Sequence, residues 1–289
     1  MATARELAVP LPRGGLYRRP MRIRIIDAFT DRPFAGNPAG VCLLDEWPSA
    51  AWMQDVAAEM NLAETAFAHP LPPGDDADWA LRWFTPAVEV DLCGHATLAT
   101  THALHADGLL DGPVRFATRS GVLRADVAAD GRITLDFPLA TVTGVPVPDG
   151  VAEAVGLPVV AAHETGSLGD LLVEVADEQA VRAADPDLTA LFRLPWRGLI
   201  VTAAGAPGAG HDYVSRFFAP AVGVPEDPVT GSAHTALAPF WSARLGRPEL
   251  VGLQASRRGG LVRTTVAGDR VLLAGGAVTV VDGNLQIKP

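Results

Sequence analysis

One stretch of this chain occurs twice, half a chain apart. Residues Arg82–Val90 and Arg216–Val224 match at six of nine positions: Arg, Phe, Pro, Ala, Val and Val. Read on without a gap, Asp227 falls opposite Cys93. With a three-residue insertion, Gly231-Ser232-Ala233 then falls opposite Gly94-His95-Ala96. A repeat with a period near half the chain implies two related units facing each other and not a solenoid. Any chemistry belongs where the two copies meet.

The 289 residues hold two cores of ordinary size. The boundaries expected are a loose extension over 1–20, a first domain over 21–138 and a second over 139–275. A last strand near 276–289 is a candidate to cross back and complete the first domain. The stretch Pro138–Pro148, rich in Pro, Thr and Gly, is the candidate linker. Residues 1–20 contain Arg5, Arg13, Arg18 and Arg19 but no apolar core with a cleavage site, so they do not read as a secretory signal.

A net charge of −10 without basic clusters argues against nucleic acid and anionic membranes. No apolar run approaches the roughly 18 residues of a membrane span. The two cysteines, Cys42 and Cys93, fit a cytoplasmic setting without a disulfide framework. The only lysine is Lys288. That argues against a pyridoxal Schiff base and against a phosphate-binding P-loop.

Periodicity supplies the elements. Met21–Ala28 and Ala39–Leu44 read as strands on either side of a turn at Gly36-Asn37-Pro38. Ser49 caps a helix whose apolar face is Trp52, Met53, Val56, Ala57 and Met60, with Asn61 at its end. Leu62–Ala68 and Trp79–Phe84 are strands around a Pro/Gly/Asp hairpin. Gly94–Leu104 carries no charged acid or base and is apolar or small all round, which predicts a buried helix. Pro113–Phe137 reads as a meander. The second half replays this order, with strands at Leu171–Val175, Gly198–Ala203 and Asp212–Phe218. A short helix at Glu178–Ala184 and a second buried helix at Ser232–Leu245, interrupted by Pro239, complete the replay. The fold class expected is α+β: two pseudo-symmetric domains, each a mixed sheet wrapped around a central apolar helix.

Three motifs fail their tests. Gly205, Gly208 and Gly210 give G-x-x-G-x-G before a strand, not a dinucleotide loop before a helix. Cys93, His95, His102 and His105 lack the spacings of zinc motifs, so no metal is expected. No G-x-S-x-G elbow is present. What remains is geometric. Gly94 and Gly231 each open an apolar helix, and two helix N-termini in one cleft form an anion site suited to a carboxylate. Cys93, His95, Asp227, Thr230 and Ser232 surround it. Glu64 stands alone in an apolar strand: either burial raises its carboxyl toward the working range of a general base, or it is a strand-end carboxylate in water.

The motifs Asp27-Ala28-Phe29, Gly36-Asn37-Pro38, Asn61–Phe67, Cys93–Leu98 and Glu226–Ala233 resemble the PhzF-like (phenazine biosynthesis-like) isomerase family, in order and over nearly the whole chain from Met21. The family is similar in fold to diaminopimelate epimerase. The resemblance implies an interdomain active site, a homodimer, no cofactor and a small carboxylic or amino acid, unsaturated or cyclic, as substrate. It implies that Glu64 is the acid/base and that His95 and Asp227 assist. Asn37, Gly94, Gly231 and Ser232 are then substrate-binding, alongside Cys93 and Thr230 from the reading above. Ala63 departs from the serine frequent before the glutamate. Two alternatives stay open: a Cys93/Asp227 racemase or epimerase, because Cys93-Gly94-His95 also resembles the cysteine motif of proline racemase, and a non-catalytic small-acid-binding protein.

Overall fold

The computed structural model describes residues 21–287. The expected extension over 1–20 and Lys288 lie outside the described residues.

The first half runs β1 (Met21–Ala28), β2 (Asn37–Leu43), α1 (Ala50–Met60), β3 (Glu64–Pro70), β4 (Trp79–Phe84), β5 (Glu89–Val90), α2 (Gly94–Ala106), β6 (Val114–Thr118), β7 (Gly121–Val127) and β8 (Ile133–Pro138). Ser49 caps α1 by accepting from the Trp52 N–H at 3.2 Å, and Asn61 ends it in the left-handed region. The second half runs β9 (Thr143–Val145), α3 (Val151–Val155), β10 (Ala161–Glu164), β11 (Asp170–Glu174), α4 (Glu178–Ala183), α5 (Leu188–Phe192) and β12 (Gly198–Ala204). It continues through β13 (Tyr213–Ala219), β14 (Val224–Asp227), α6 (Gly231–Leu245), β15 (Glu249–Gln254), β16 (Gly260–Ala267), β17 (Arg270–Gly275) and β18 (Ala277–Leu285).

The strand pairings form one order that reads alike from both ends. From one end, β18 pairs antiparallel with β1, β1 with β2, β2 parallel with β3, β3 antiparallel with β4, and β4 parallel with β6. From the other, β9 pairs antiparallel with β10, β10 with β11, β11 parallel with β12, β12 antiparallel with β13, and β13 parallel with β15. The meanders β6-β7-β8 and β15-β16-β17 close the halves, which join at the antiparallel β8–β17 pair. The fold is therefore α+β with two pseudo-symmetric sheets. The chain echoes this again at Gly121-Val122-Leu123-Arg124 and Gly260-Leu261-Val262-Arg263, which open β7 and β16. The end strands sit at matching places in the two sheets, and the last one crosses over to the first half. β9 follows β8 in the chain but lies against β10, and β18 follows β17 but lies against β1.

Each half wraps a helix. In α2, His95 through Thr101 are all buried, packed among Ile26, Trp83, Phe116 and Leu135. Three threonines in so apolar a helix satisfy their hydroxyls by donating to carbonyls four residues back: Thr97 to Cys93, Thr100 to Ala96 and Thr101 to Thr97. α6 packs Ala233, Ala236, Leu237, Phe240 and Trp241 against Leu172, Ile200 and Tyr213. Pro239 lies inside α6 and has no N–H for the Thr235 carbonyl. The Ala140 N–H donates to that carbonyl instead, at 3.3 Å, tying the crossing segment to the helix.

Two readings need correction. The stretch Pro138–Pro148 is not bare linker, because β9 lies in it and pairs with β10 over Thr143–Val145. β15 is absent from the sequence reading because Gly252 breaks its apolar pattern. A Cβ there would come within 2.4 Å of the Tyr213 ring, so the ring's passage across the strand requires glycine.

Candidate active site

The two buried helices begin against each other. A Cβ added at Gly94 would lie 3.5 Å from the Gly231 Cα, and one added at Gly231 would lie 3.4 Å from the Gly94 Cα. The side chains at the two N-cap positions, Cys93 and Thr230, leave both helix starts without a side-chain cap. Two positive helix ends thus converge on one point.

The repeated arginines explain how the neighbouring residues reach that point. Arg82 on β4 grips Glu89 on β5 through two hydrogen bonds of 2.7 Å. Arg216 on β13 grips Glu226 on β14 at 2.7 and 3.0 Å. Each pair fixes the short strand that leads into Cys93 or Asp227.

Asn37 links the halves. Its amide donates to Asp227 Oδ1 at 2.7 Å and to the Val229 carbonyl at 2.9 Å, and stands 3.2 Å from His95 Nδ1. Gly36 makes this placement possible. Its φ is +64°, and a Cβ there would come within 2.1 Å of the Ala28 carbonyl oxygen. Asp227 also accepts from the Thr230 hydroxyl at 2.6 Å. Gln254, which the sequence reading missed, locks this corner. Its amide donates to the Asp227 carbonyl at 2.7 Å, and its oxygen accepts the Thr230 N–H at 2.8 Å. A lone amide at the end of a strand gives no sequence signal for that task.

Glu64 opens β3, paired with Ala39 on parallel β2. Its Oε2 lies 3.2 Å from His95 Nε2, without the angle of a hydrogen bond. Asn37 Oδ1, Glu64 Oε2 and His95 Nε2 are all buried without a hydrogen-bond partner. Buried orphans of this kind, gathered at two helix starts, mark where a ligand's polar atoms can go. His95 Nδ1 faces the Asn37 amide and, at 3.5 Å, the Cys93 thiol. The Asn37 amide nitrogen cannot accept, so Nδ1 is assigned as the unprotonated nitrogen and Nε2 carries the proton toward Glu64.

Burial raises the Glu64 carboxyl to about 8, the charge of Asp227 adds to this, and a hydrogen bond with Cys93 opposes it. Burial raises Asp227 to about 6, against the lowering effect of Thr230 and Asn37. His95 falls to about 3 by burial, so it is a neutral imidazole. The Cys93 thiol rises well above its ordinary value, first by burial and then by the nearby Glu64.

The site residues read from the sequence thus gather at one place: Asn37, Glu64, Cys93, Gly94, His95, Asp227, Thr230 and Gly231 around the helix starts, with Ser232 in the first turn of α6. The candidate histidine cluster separates. His102 Nε2 meets Thr279 Oγ1 at 3.1 Å and His105 is exposed. Donor atoms of Glu64, Cys93 and His95 do lie within 4.8 Å of one another. The two helix N-termini facing them disfavour a cation.

A pseudo-symmetric pair of helix-wrapped sheets with one polar site between two helix N-termini is the epimerase type of fold. A hydroxyproline epimerase from Agrobacterium vitis shares that fold, with a TM-score of 0.58 over 92% of each chain at 15% identity. Closer likeness identifies the family. The phenazine biosynthesis-like family matches residues 26–283, and the chain belongs to it. An uncharacterized isomerase of Pseudomonas aeruginosa is 48% identical over 266 residues, which cover 91% of this chain and 97% of that one. The human phenazine biosynthesis-like domain-containing protein is 42% identical, covering 91% of this chain and 98% of its own length. The crystal structure of a PhzF-family protein from Enterococcus faecalis superposes with a TM-score of 0.86 at 37% identity, covering 93% of this chain and 100% of that one.

Proposed function

We propose that this protein is a cofactor-independent isomerase that moves a proton on a small carboxylic or amino acid, unsaturated or cyclic, with Glu64 as the acid/base. The observation that carries this reading is the unpartnered, buried Glu64 Oε2, held 3.2 Å from His95 Nε2 where the two helix starts meet. Burial raises both Glu64 and Asp227, Glu64 to about 8 and Asp227 to about 6. Near neutrality Asp227 is the carboxylate that orients Asn37 and Thr230, and Glu64 holds its proton loosely enough to release and regain it. In its ionised form Glu64 takes a proton from a carbon adjacent to, or conjugated with, the substrate carboxylate. The electron pair left behind spreads into that carboxylate, which the N–H groups at the starts of α2 and α6 stabilise. Glu64 then returns the proton to a second carbon. His95 Nε2–H is placed to hold a substrate oxygen. The cleft is shared by two domains, 21–138 with 276–289 and 139–275, of a homodimeric cytoplasmic enzyme.

The test is solvent-deuterium incorporation into a panel of unsaturated and cyclic amino and carboxylic acids. On an accepted compound, Glu64→Gln should lower exchange by at least about 10²-fold, with Glu64→Asp in between. In the parent the rate should climb with pH toward about 8, as Glu64 ionises. Undiminished exchange in the Gln variant removes Glu64 from the mechanism.

The racemase alternative needs a thiolate at Cys93. Burial and Glu64 both hold that thiol protonated, and the second half supplies Asp227 where a two-thiol enzyme needs a cysteine. Cys93→Ala should therefore keep at least about a tenth of the parent exchange rate. Its complete loss would favour the racemase.

A further inference from the structure

The register of the two halves shows what stands opposite Glu64. Arg82 pairs with Phe67 and its repeat partner Arg216 pairs with Val201, so Glu64 corresponds to Gly198. The pairings of Glu64 with Ala39 and of Gly198 with Asp170 agree. The second half thus has no acid at this position. It has Arg197 one residue earlier, where the first half has Ala63.

Arg197 is held on several sides. Nε and Nη2 donate to the two oxygens of Asp170 at 2.9 and 2.5 Å, and Nε also lies 3.1 Å from the Leu168 carbonyl. The Asp170 side chain is wholly buried. The Phe217 ring lies 5.5 Å from the guanidinium carbon. Gly198 leaves room for this assembly, since a Cβ there would come within 2.4 Å of the Phe217 ring and 3.0 Å of Asp170 Oδ1. Nη2 also donates to Ser232 Oγ, in the first turn of α6, at 3.3 Å. Ser232 Oγ therefore accepts from Arg197, which leaves its own hydrogen to donate, and no described residue takes it. Nη1 likewise has no partner among the described residues, and the arginine side chain is 38% exposed. The buried unpartnered Asn37 Oδ1 and His95 Nε2 independently mark the neighbouring helix starts as a place for a ligand.

We infer that Arg197, locked by Asp170, sets the charge selectivity of this site: it orients the Ser232 hydroxyl and presents Nη1 to an anionic group of the substrate. The substrate class is then one whose carboxylate lies on the second-half side of the cleft, across from Glu64. This rests on the proposed function only for the identity of the cleft.

The experiment measures Kd by calorimetry for two probes of one shape, cyclohex-1-ene-1-carboxylate and cyclohex-1-ene-1-carboxamide. The parent should prefer the carboxylate by at least about tenfold, the scale of a charge-assisted hydrogen bond. Arg197→Met strands the buried Asp170, so the double variant Asp170→Asn/Arg197→Met serves beside it as the better-folded test. Both should lose the preference, while Arg197→Lys keeps part of it as a point charge. A purely structural arginine would weaken both probes together and leave their ratio unchanged. A preserved ratio in the double variant, or equal or absent binding of both probes by the parent, overturns the inference. Loss of Glu64-dependent exchange with the ratio intact would instead count against the isomerase reading alone.

Discussion

Glu64 is a costly residue for this fold to keep. Its carboxyl is raised from 4.5 to about 8, mainly by burial, so the folded protein prefers it protonated. The unfolded chain releases that proton near its ordinary value. The contribution of Glu64 to stability is therefore full below about pH 4.5 and falls as pH rises to about 8. Asp227, raised from 3.8 to about 6, adds a loss of the same sign at lower pH. For Glu64 the loss is roughly 3–5 kcal/mol by pH 8. Glu64→Gln should thus melt higher than the parent at pH 8.5, by about 5 °C or more, with a much smaller gap at pH 5. An equal gap at both values in a thermal melt would show that the carboxyl is not strained by its setting. The sequence makes Glu64 visible as the one acid in an apolar strand. It does not show the partners that set its proton affinity, because Asp227 and Cys93 reach it only through tertiary packing. Arg197 and Gln254 are hidden for the same reason: their neighbours Ser232, Asp170 and Thr230 are distant in the chain.

Helices α2 and α6 were the most legible elements, because small and apolar residues run all round them and each begins at a glycine within the repeat. Their purpose follows from where those glycines meet. At Gly94 an added methyl would lie 3.5 Å from the Gly231 Cα and 3.6 Å from the Phe137 ring, ordinary contact distances. Alanine also favours the helix. Gly94→Ala should therefore melt within about 2 °C of the parent. The same methyl takes space at the converging N–H groups, so KM for an accepted acid should rise at least about tenfold while the fold persists. A melting loss without a KM change would assign Gly94 to packing alone. Strands were less legible where their composition answers to a neighbour. β15 carries Gly252 because Tyr213 crosses it, and β9 lies in a stretch whose proline, threonine and glycine content reads as linker.

At the scale of the whole molecule, the repeat announces two halves but not how they are fastened together. The first half takes its end strand from the far end of the chain: β18 caps β1, while β9, at the start of the second half, caps β10. β18 covers β1 along its full length, from Met21 opposite Leu285 to Ala28 opposite Ala277. It also brings Asp282 to Arg22 and to the buried Arg24, whose other acidic partner is Asp107. A chain ending after Gly275 should therefore expose β1 as an apolar edge and leave Arg24 short of charge. We expect it to melt at least about 10 °C below the parent or to aggregate on purification. A synthetic peptide of residues 276–289 should restore most of that loss by pairing with β1, and a peptide of scrambled order should not. The contrast separates strand pairing from general damage by truncation. If the shortened chain melts like the parent, or both peptides act alike, the return strand is an ornament on the first half and not the fastening that closes it.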